Sequence, residues 1–388
     1  PEDALAEKLE RSRATGRPLV VKQGFDPTRP DLHLGHAVSI RKLRTFQELG
    51  HEVVFVIGDF TALVGDPSGQ SETRPLLQEA EVRANLRTYA SQVFKILDRG
   101  RTRIERNSRW LGRLRPGDLV TLASRYTVAR LLERDDFAQR YREGRPISVV
   151  ELLYPLFQAY DSVALRADVE VGGTDQKFNL LVARDIQERY GQEPQVCVIL
   201  PLLRGTDGEL KMSKSYGNYV GIAEPPEEQY GKTMSIPDAL LEEWLRLVSS
   251  WRGPDLERML ELARTRPWEV KRALARNVVE QYHGPEAARR AEAHFDRVVR
   301  RGETPAEIPE RRVRVEGESL WIGHALVEAG LARSTSEAIR LVEQGAVRLD
   351  DEPVTDRNRQ IPARGSCVLR RGKRHFVRLV FDRSQPSA

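Results

Sequence analysis

The chain is 388 residues long, 40% hydrophobic and 31% charged, with a formal net charge of +5. Such a balance can bury a core and excludes a disordered chain, while no apolar run approaches the ~18 residues of a membrane helix. Two cysteines, Cys197 and Cys367, exclude a disulfide framework and a cysteine-built zinc site, so packing must hold the fold. At ~100 to 200 residues per domain the length suggests two or three domains. The opening PEDALAEKLERSRATGRP mixes acid and base without an apolar stretch, unlike a signal peptide, and a cytoplasmic protein is expected.

Leu19 to Phe25 reads as a strand, after which Val38, Leu43, Phe46 and Leu49 recur at helical spacing until Gly50, a residue suited to a helix stop. Val53 to Ile57 is a continuous apolar run, as in a strand buried on both faces. A helical pattern from about Pro75 to Leu97 leads to a strand at Thr102. Residues 108–165 are mainly helical, as an insertion would be. Val169 to Gly173 is a strand running into a helix that Thr174 is expected to cap, and Gln195 to Leu200 is a strand again. Alternation of this kind predicts an α/β, Rossmann-like parallel sheet whose ligand crevice lies beyond the carboxyl ends of its strands. Pro225-Pro226 marks a boundary, followed by a helical stretch to about Arg301 and the polar linker RRGETPAEIPERR. In the last segment, Ser334 and Glu337 form a capping box for a helix ending near Gly345, and Val347 to Leu349 and Phe376 to Leu379 read as short strands. The expected division is therefore 1–224 for the sheet domain, 225–303 for an α-helical domain and 315–383 for a small α+β domain. From Arg311 to Arg383 there are fifteen Lys and Arg against ten Asp and Glu, a surplus equal to the net charge of the whole chain. A basic carboxyl end permits a polyanionic partner without demanding one.

Two stretches carry chemistry. In PTRPDLHLGH, the first strand gives way to a helix at Gly35, flanked by His33 and His36. A metal, an anion on the helix amino end and plain packing are the candidate explanations. Helix-end physics favours the anion, because unpaired N–H groups and partial positive charge meet there, and the five other histidines offer no matching metal cluster. KMSKS, with Lys211, Lys214 and Ser215, lies in a polar segment where two lysines could close on a polyphosphate.

HLGH and KMSKS in this order resemble the two signatures of class I aminoacyl-tRNA synthetases, and GFDPTRPDLHLGH, GDPSG, YPLFQAYD and GGTDQ resemble the bacterial tyrosyl-tRNA synthetase family. The final segment is similar to the RNA-binding domain named after a small-subunit ribosomal protein. The likeness covers nearly the whole chain. It implies an ATP-dependent, AMP-forming ligase acting on L-tyrosine and tRNA(Tyr), with Mg2+ accompanying ATP, no tightly bound organic cofactor and no resident metal. Thr28, His33, His36, Lys211 and Lys214 are then expected to stabilise the transition state. Pro27, Gly35, His36, Gly173, Asp175, Lys214 and Ser215 are expected to hold ATP.

Tyrosine falls to Asp66, Tyr154, Gln158, Asp161 and Gln176. Tyr154, Gln158 and Asp161 lie at i, i+4 and i+7, on one helical face, with Asp161 accepting the phenolic hydrogen. Pro155 within that triplet removes a backbone donor and suggests a kink or a helix start. Arg370, Arg371, Lys373 and Arg374 are assigned to RNA. The insertion is expected to form a homodimer interface, with a buried intramolecular cap as its alternative; neither membrane nor DNA is expected as a partner. One position departs from the family pattern: Lys22 stands where relatives have a tyrosine that helps hold the substrate hydroxyl, leaving that share to Gln23 or a water. A tryptophanyl enzyme and a non-catalytic RNA-binding factor are the rival readings.

Overall fold

The computed structural model describes residues 2–27, 31–68, 79–300, 308–315, 317–372 and 375–383. Two compact units divide the chain, Pro1–Gly284 and Pro285–Ala388.

The first unit is built on a five-stranded sheet of order β3-β2-β1-β4-β5, with every neighbouring pair parallel. Its strands are β1 (Val20–Phe25), β2 (Glu52–Ile57), β3 (Thr102–Arg106), β4 (Val169–Gly173) and β5 (Val196–Leu200). The apolar run in β2 is explained by burial on both faces, since Val53, Val54, Phe55 and Val56 are wholly enclosed. The order reverses between β1 and β4, so a crevice opens there at the carboxyl ends.

Helix Leu34–Glu48 leaves β1 and returns to β2. It stops as its sequence suggests: Gly50 adopts a φ of 87° and donates to the Gln47 carbonyl, while the His51 N–H reaches Phe46. This paired closure is a Schellman motif, and glycine supplies the left-handed residue without Cβ strain. Helix Val149–Leu165 begins at Ser148, whose backbone N–H donates to Glu151 Oε2 at 2.8 Å. Pro155 therefore lies inside the helix and not at its start. Thr174 is not the cap expected of it: a 3-10 turn, Thr174–Gln176, follows Gly173, and the α-helix proper is Lys177–Arg189.

Helices from Pro226 to His283 share one apolar core with the sheet, in which Trp244, Leu274 and Val278 are fully buried beside Val53 and Val171. Residues from the 108–165 stretch form a second cluster, where Leu111, Leu122 and Leu131 meet Leu156, Phe157 and Ile186. Among the described residues no helix is long and apolar enough to cross a membrane, and both cysteines are free.

In the second unit a five-stranded sheet orders Glu310–Val315, His375–Arg383, Ser366–Arg371, Val347–Leu349 and Glu352–Pro353 side by side. Helices Ile322–Glu328 and Thr335–Glu343 pack with it around Leu326, Val342 and Leu369. Ser334 Oγ accepts the Glu337 N–H at 3.2 Å, and the Glu337 carboxylate accepts from Arg333 N–H at 2.8 Å, so the cap forms with its return bond one residue earlier than in the standard box. The strand expected at Phe376 is longer than its apolar core suggested, because Glu310–Val315 pairs along it in parallel.

Candidate active site

Several of the residues assigned to ATP and tyrosine lie on or next to β1 and β4, and hydrogen bonds and ion pairs link them to parts of the chain far away in sequence. A pairing outside the sheet brings the two signature stretches together. Leu34 N–H donates to the Val220 carbonyl at 2.9 Å and Ile222 N–H to Leu32 at 3.0 Å, tying the histidine turn to the segment just after KMSKS. Lys214 Nζ then lies 2.6 Å from Asp31, and Lys211 Nζ lies 3.1 Å from Asp175. Gly35 is needed at this closure, since a Cβ there would meet the His33 ring at 3.0 Å and Met212 Cβ at 3.6 Å. Gly173 is similarly crowded, its Cβ position lying 2.7 Å from Asp175 Oδ1.

His33 and His36 stack with ring centroids 3.8 Å apart. Burial drives both imidazoles downward in pKa, His33 well below its ordinary value and His36 to about 4, with Lys214 adding to the effect. Both are therefore neutral at pH 7. His36 Nδ1 accepts the His33 N–H at 3.3 Å, which places the proton of that ring on Nε2 and makes it a donor. The Nε2–H of a neutral His36 can donate to a phosphate oxygen. Among the described residues no group of three or more His, Cys, Asp or Glu is placed to hold a metal.

Across the crevice stands a carboxylate-rich pocket. Asp161 is buried, its Oδ1 accepting Trp110 Nε1 at 2.7 Å and its Oδ2 accepting Asn107 Nδ2 at 3.3 Å. Tyr154 donates its hydroxyl to Asp26 Oδ2 at 2.8 Å, and Thr61 donates to the other Asp26 oxygen at 2.6 Å. The Tyr154 oxygen is thus left as an acceptor. Asp66 accepts from Gln176 Nε2 at 2.8 Å and from Ser68, while the Gln176 oxygen accepts from Asn179 at 3.0 Å. Gln158 donates to Glu170 at 3.4 Å. Burial pushes the Asp26 and Asp161 carboxyls up to about 7. Among lesser influences, Thr61 pulls Asp26 down and Lys22 pulls Asp161 down.

Pro27 is buried, its carbonyl accepting from Asn85 at 2.8 Å, and Ser215 closes a turn on Ser213 Oγ at 3.3 Å. Gln23 donates to Ser39 at 2.8 Å, and Lys22 pairs with Glu170. In the second unit the Arg370 guanidinium stacks 5.0 Å over Phe376, and Arg371 donates to the Leu331 carbonyl at 2.7 Å. Thr28, Lys373 and Arg374 lie outside the described residues.

Sequence reasoning missed Asp26, Asn107, Trp110 and Asp31 as partners of the named residues. Asp26 and Asp31 sit in quoted motifs, so a signal existed; Asn107 and Trp110 reach Asp161 only through folding.

A family model described as tRNA synthetases class I (W and Y) matches residues 14–300, and one described as S4 domain matches residues 325–363. The chain belongs to the class I tRNA synthetases of this W and Y family. Within that family it resembles the tyrosine–tRNA ligase of Moorella thermoacetica, 53% identical over 98% of this chain and 92% of that protein. The tyrosine–tRNA ligase of Thermotoga maritima is 53% identical over 96% and 93% respectively. Among solved structures, a tyrosyl-tRNA synthetase of Archaeoglobus fulgidus, complexed with L-tyrosine, aligns with a TM-score of 0.59 at 25% identity, covering 74% of this chain and 94% of that one.

Proposed function

We infer that the chain is a tyrosine–tRNA ligase that joins L-tyrosine to ATP as tyrosyl-adenylate, releases pyrophosphate, and passes the tyrosyl group to the 3′ end of tRNA(Tyr). The observation that carries this reading is the approach of Lys214 to within 2.6 Å of Asp31, beside the two neutral histidines and opposite the Asp161 pocket. No protein nucleophile is required: a tyrosine carboxylate oxygen bonds to the α-phosphorus as the bond to pyrophosphate breaks. What the protein supplies is position and charge stabilisation.

In this reading His36 and Gly35 seat the phosphates, with His33, Thr28, Lys211 and Lys214 stabilising the pentavalent state. Pro27, Gly173, Asp175 and Ser215 line the nucleotide. Mg2+ enters as part of the ATP substrate. The pairs Lys214–Asp31 and Lys211–Asp175 are partly exposed, and such pairs are worth at most about 1 kcal/mol, so a triphosphate can take both lysines from their carboxylates. Asp161, carrying the Trp110 and Asn107 donors, retains acceptor capacity for the phenol hydrogen. Tyr154, Gln158 and Asp66 receive the ammonium side of the amino acid, and Gln176 its carboxyl side.

The three-part division, with a helical portion at 225–303 and the basic 315–383 module on the tRNA, remains part of this proposal, as do a cytoplasmic location and a homodimer. Support for the homodimer comes from apolar side chains exposed within and beside the insertion: Val120, Val128, Tyr141 and Val149. Exchange of labelled pyrophosphate into ATP tests the activity. Dependence on tyrosine is expected; dependence on tryptophan instead, or on neither, would overturn it in favour of the respective rival.

A further inference from the structure

Lys22 of β1 faces Glu170 of β4 across the parallel ladder, and their side chains form an ion pair of 2.9 Å with each 1% exposed. Pairs this deeply buried are poor sources of stability, because desolvating two charges offsets their attraction and an apolar pair is often as stable. The hydrogen bonds around the pair point to another use. Glu170 Oε1 also accepts Gln158 Nε2 at 3.4 Å, while Oε2 accepts Ser162 Oγ at 3.3 Å and the Gln195 amide. Gln158 and Ser162 stand on helix Val149–Leu165, which also carries Tyr154 and Asp161.

Because Glu170 takes the amide nitrogen of Gln158, it decides which way that amide is turned. The Gln158 oxygen is buried and has no hydrogen-bond partner among the described residues. A buried acceptor left unpaired is costly unless a ligand supplies the donor.

We propose that the Lys22–Glu170 pair positions the amino-acid pocket: Glu170, held in place by Lys22, turns the Gln158 oxygen toward the α-ammonium of tyrosine. This rests on the tyrosine-activating reading above. Both residues act through others, so they are positioning residues and touch no reacting atom.

The double variant K22M/E170Q of the full chain removes both charges without stranding one. Losing charge-assisted hydrogen bonding of this kind should raise the tyrosine KM in pyrophosphate exchange about tenfold or more. The ATP KM should stay within about twofold. A changed melting temperature with tyrosine KM unaltered would mean that the pair merely ties β1 to β4, and would overturn the proposal. Should the double variant not fold, Glu170→Asp keeps the charge but withdraws it from Gln158; a raised tyrosine KM supports the proposal and an unaltered one overturns it. Absence of tyrosine-dependent exchange in the unaltered chain would sink both this proposal and the reading beneath it, whereas its presence with inert variants sinks this proposal alone.

Discussion

Charge in this site is carried by few groups. With His33 and His36 held neutral by burial, the proposed reading gives Lys211 and Lys214, among the described residues, the task of meeting charge as it develops on the phosphates. Lys214→Ala should therefore slow activation by about 10²- to 10³-fold, in line with removal of a preorganised electrostatic contact, while tyrosine binding changes little. Single-turnover adenylate formation set against equilibrium tyrosine binding makes the check, and equal losses in both would count against a transition-state role. Asp26 and Asp161 have a different consequence. Their carboxyls titrate near 7 in the folded chain against 3.8 ordinarily, so between those values the folded form binds more protons than the unfolded one. Stability of the unliganded protein should accordingly fall as pH rises from about 4 to about 7 and level off above. Melting temperatures across that range test this, and Asp161→Asn should flatten part of the slope.

Loops set the site, yet they are fastened by particular side chains. Asn218 is buried; its oxygen accepts the Ser213 N–H at 2.8 Å, and its amide donates to Asp207 at 2.7 Å and to the Lys211 carbonyl at 3.2 Å. One residue thus holds both the first and the middle residue of KMSKS. Asn218→Ala should reduce the rate of adenylate formation with little change in tyrosine KM, and a raised tyrosine KM with normal rate would refute that assignment. At the end of β2, a Cβ on Gly58 would lie 2.0 Å from Asp26 Oδ1 and 2.3 Å from Thr61 Oγ1. Gly58→Ala must displace that hydrogen bond, so it should weaken tyrosine binding by about 1 to 3 kcal/mol while the sheet stays folded, readable by calorimetry. The strand-helix-strand alternation was legible because apolar spacing differs between strand and helix. Thr174 misled for a physical reason: a hydroxyl beside Asp175 suits a helix cap equally well, and the chain instead makes a 3-10 turn that leaves Asp175 facing Lys211.

For the whole molecule, the basic surplus at the carboxyl end predicts tRNA binding that weakens steeply with salt, since neutralised phosphates release counterions. Arg370→Ala together with Arg371→Ala should lower tRNA affinity and shallow that salt dependence, leaving tyrosine-dependent exchange intact; filter binding at several salt concentrations provides the measurement. The charge excess, the order of elements and the family signatures follow from the linear chain, because they depend on residue type and short spacing. Tertiary structure alone decided that Trp110 and Asn107 serve Asp161, that Asp26 orients Tyr154, and that Lys22 lies against Glu170. Those partners are dozens to more than a hundred positions apart, and only the parallel ladder and the helix packed across it bring them within hydrogen-bonding distance.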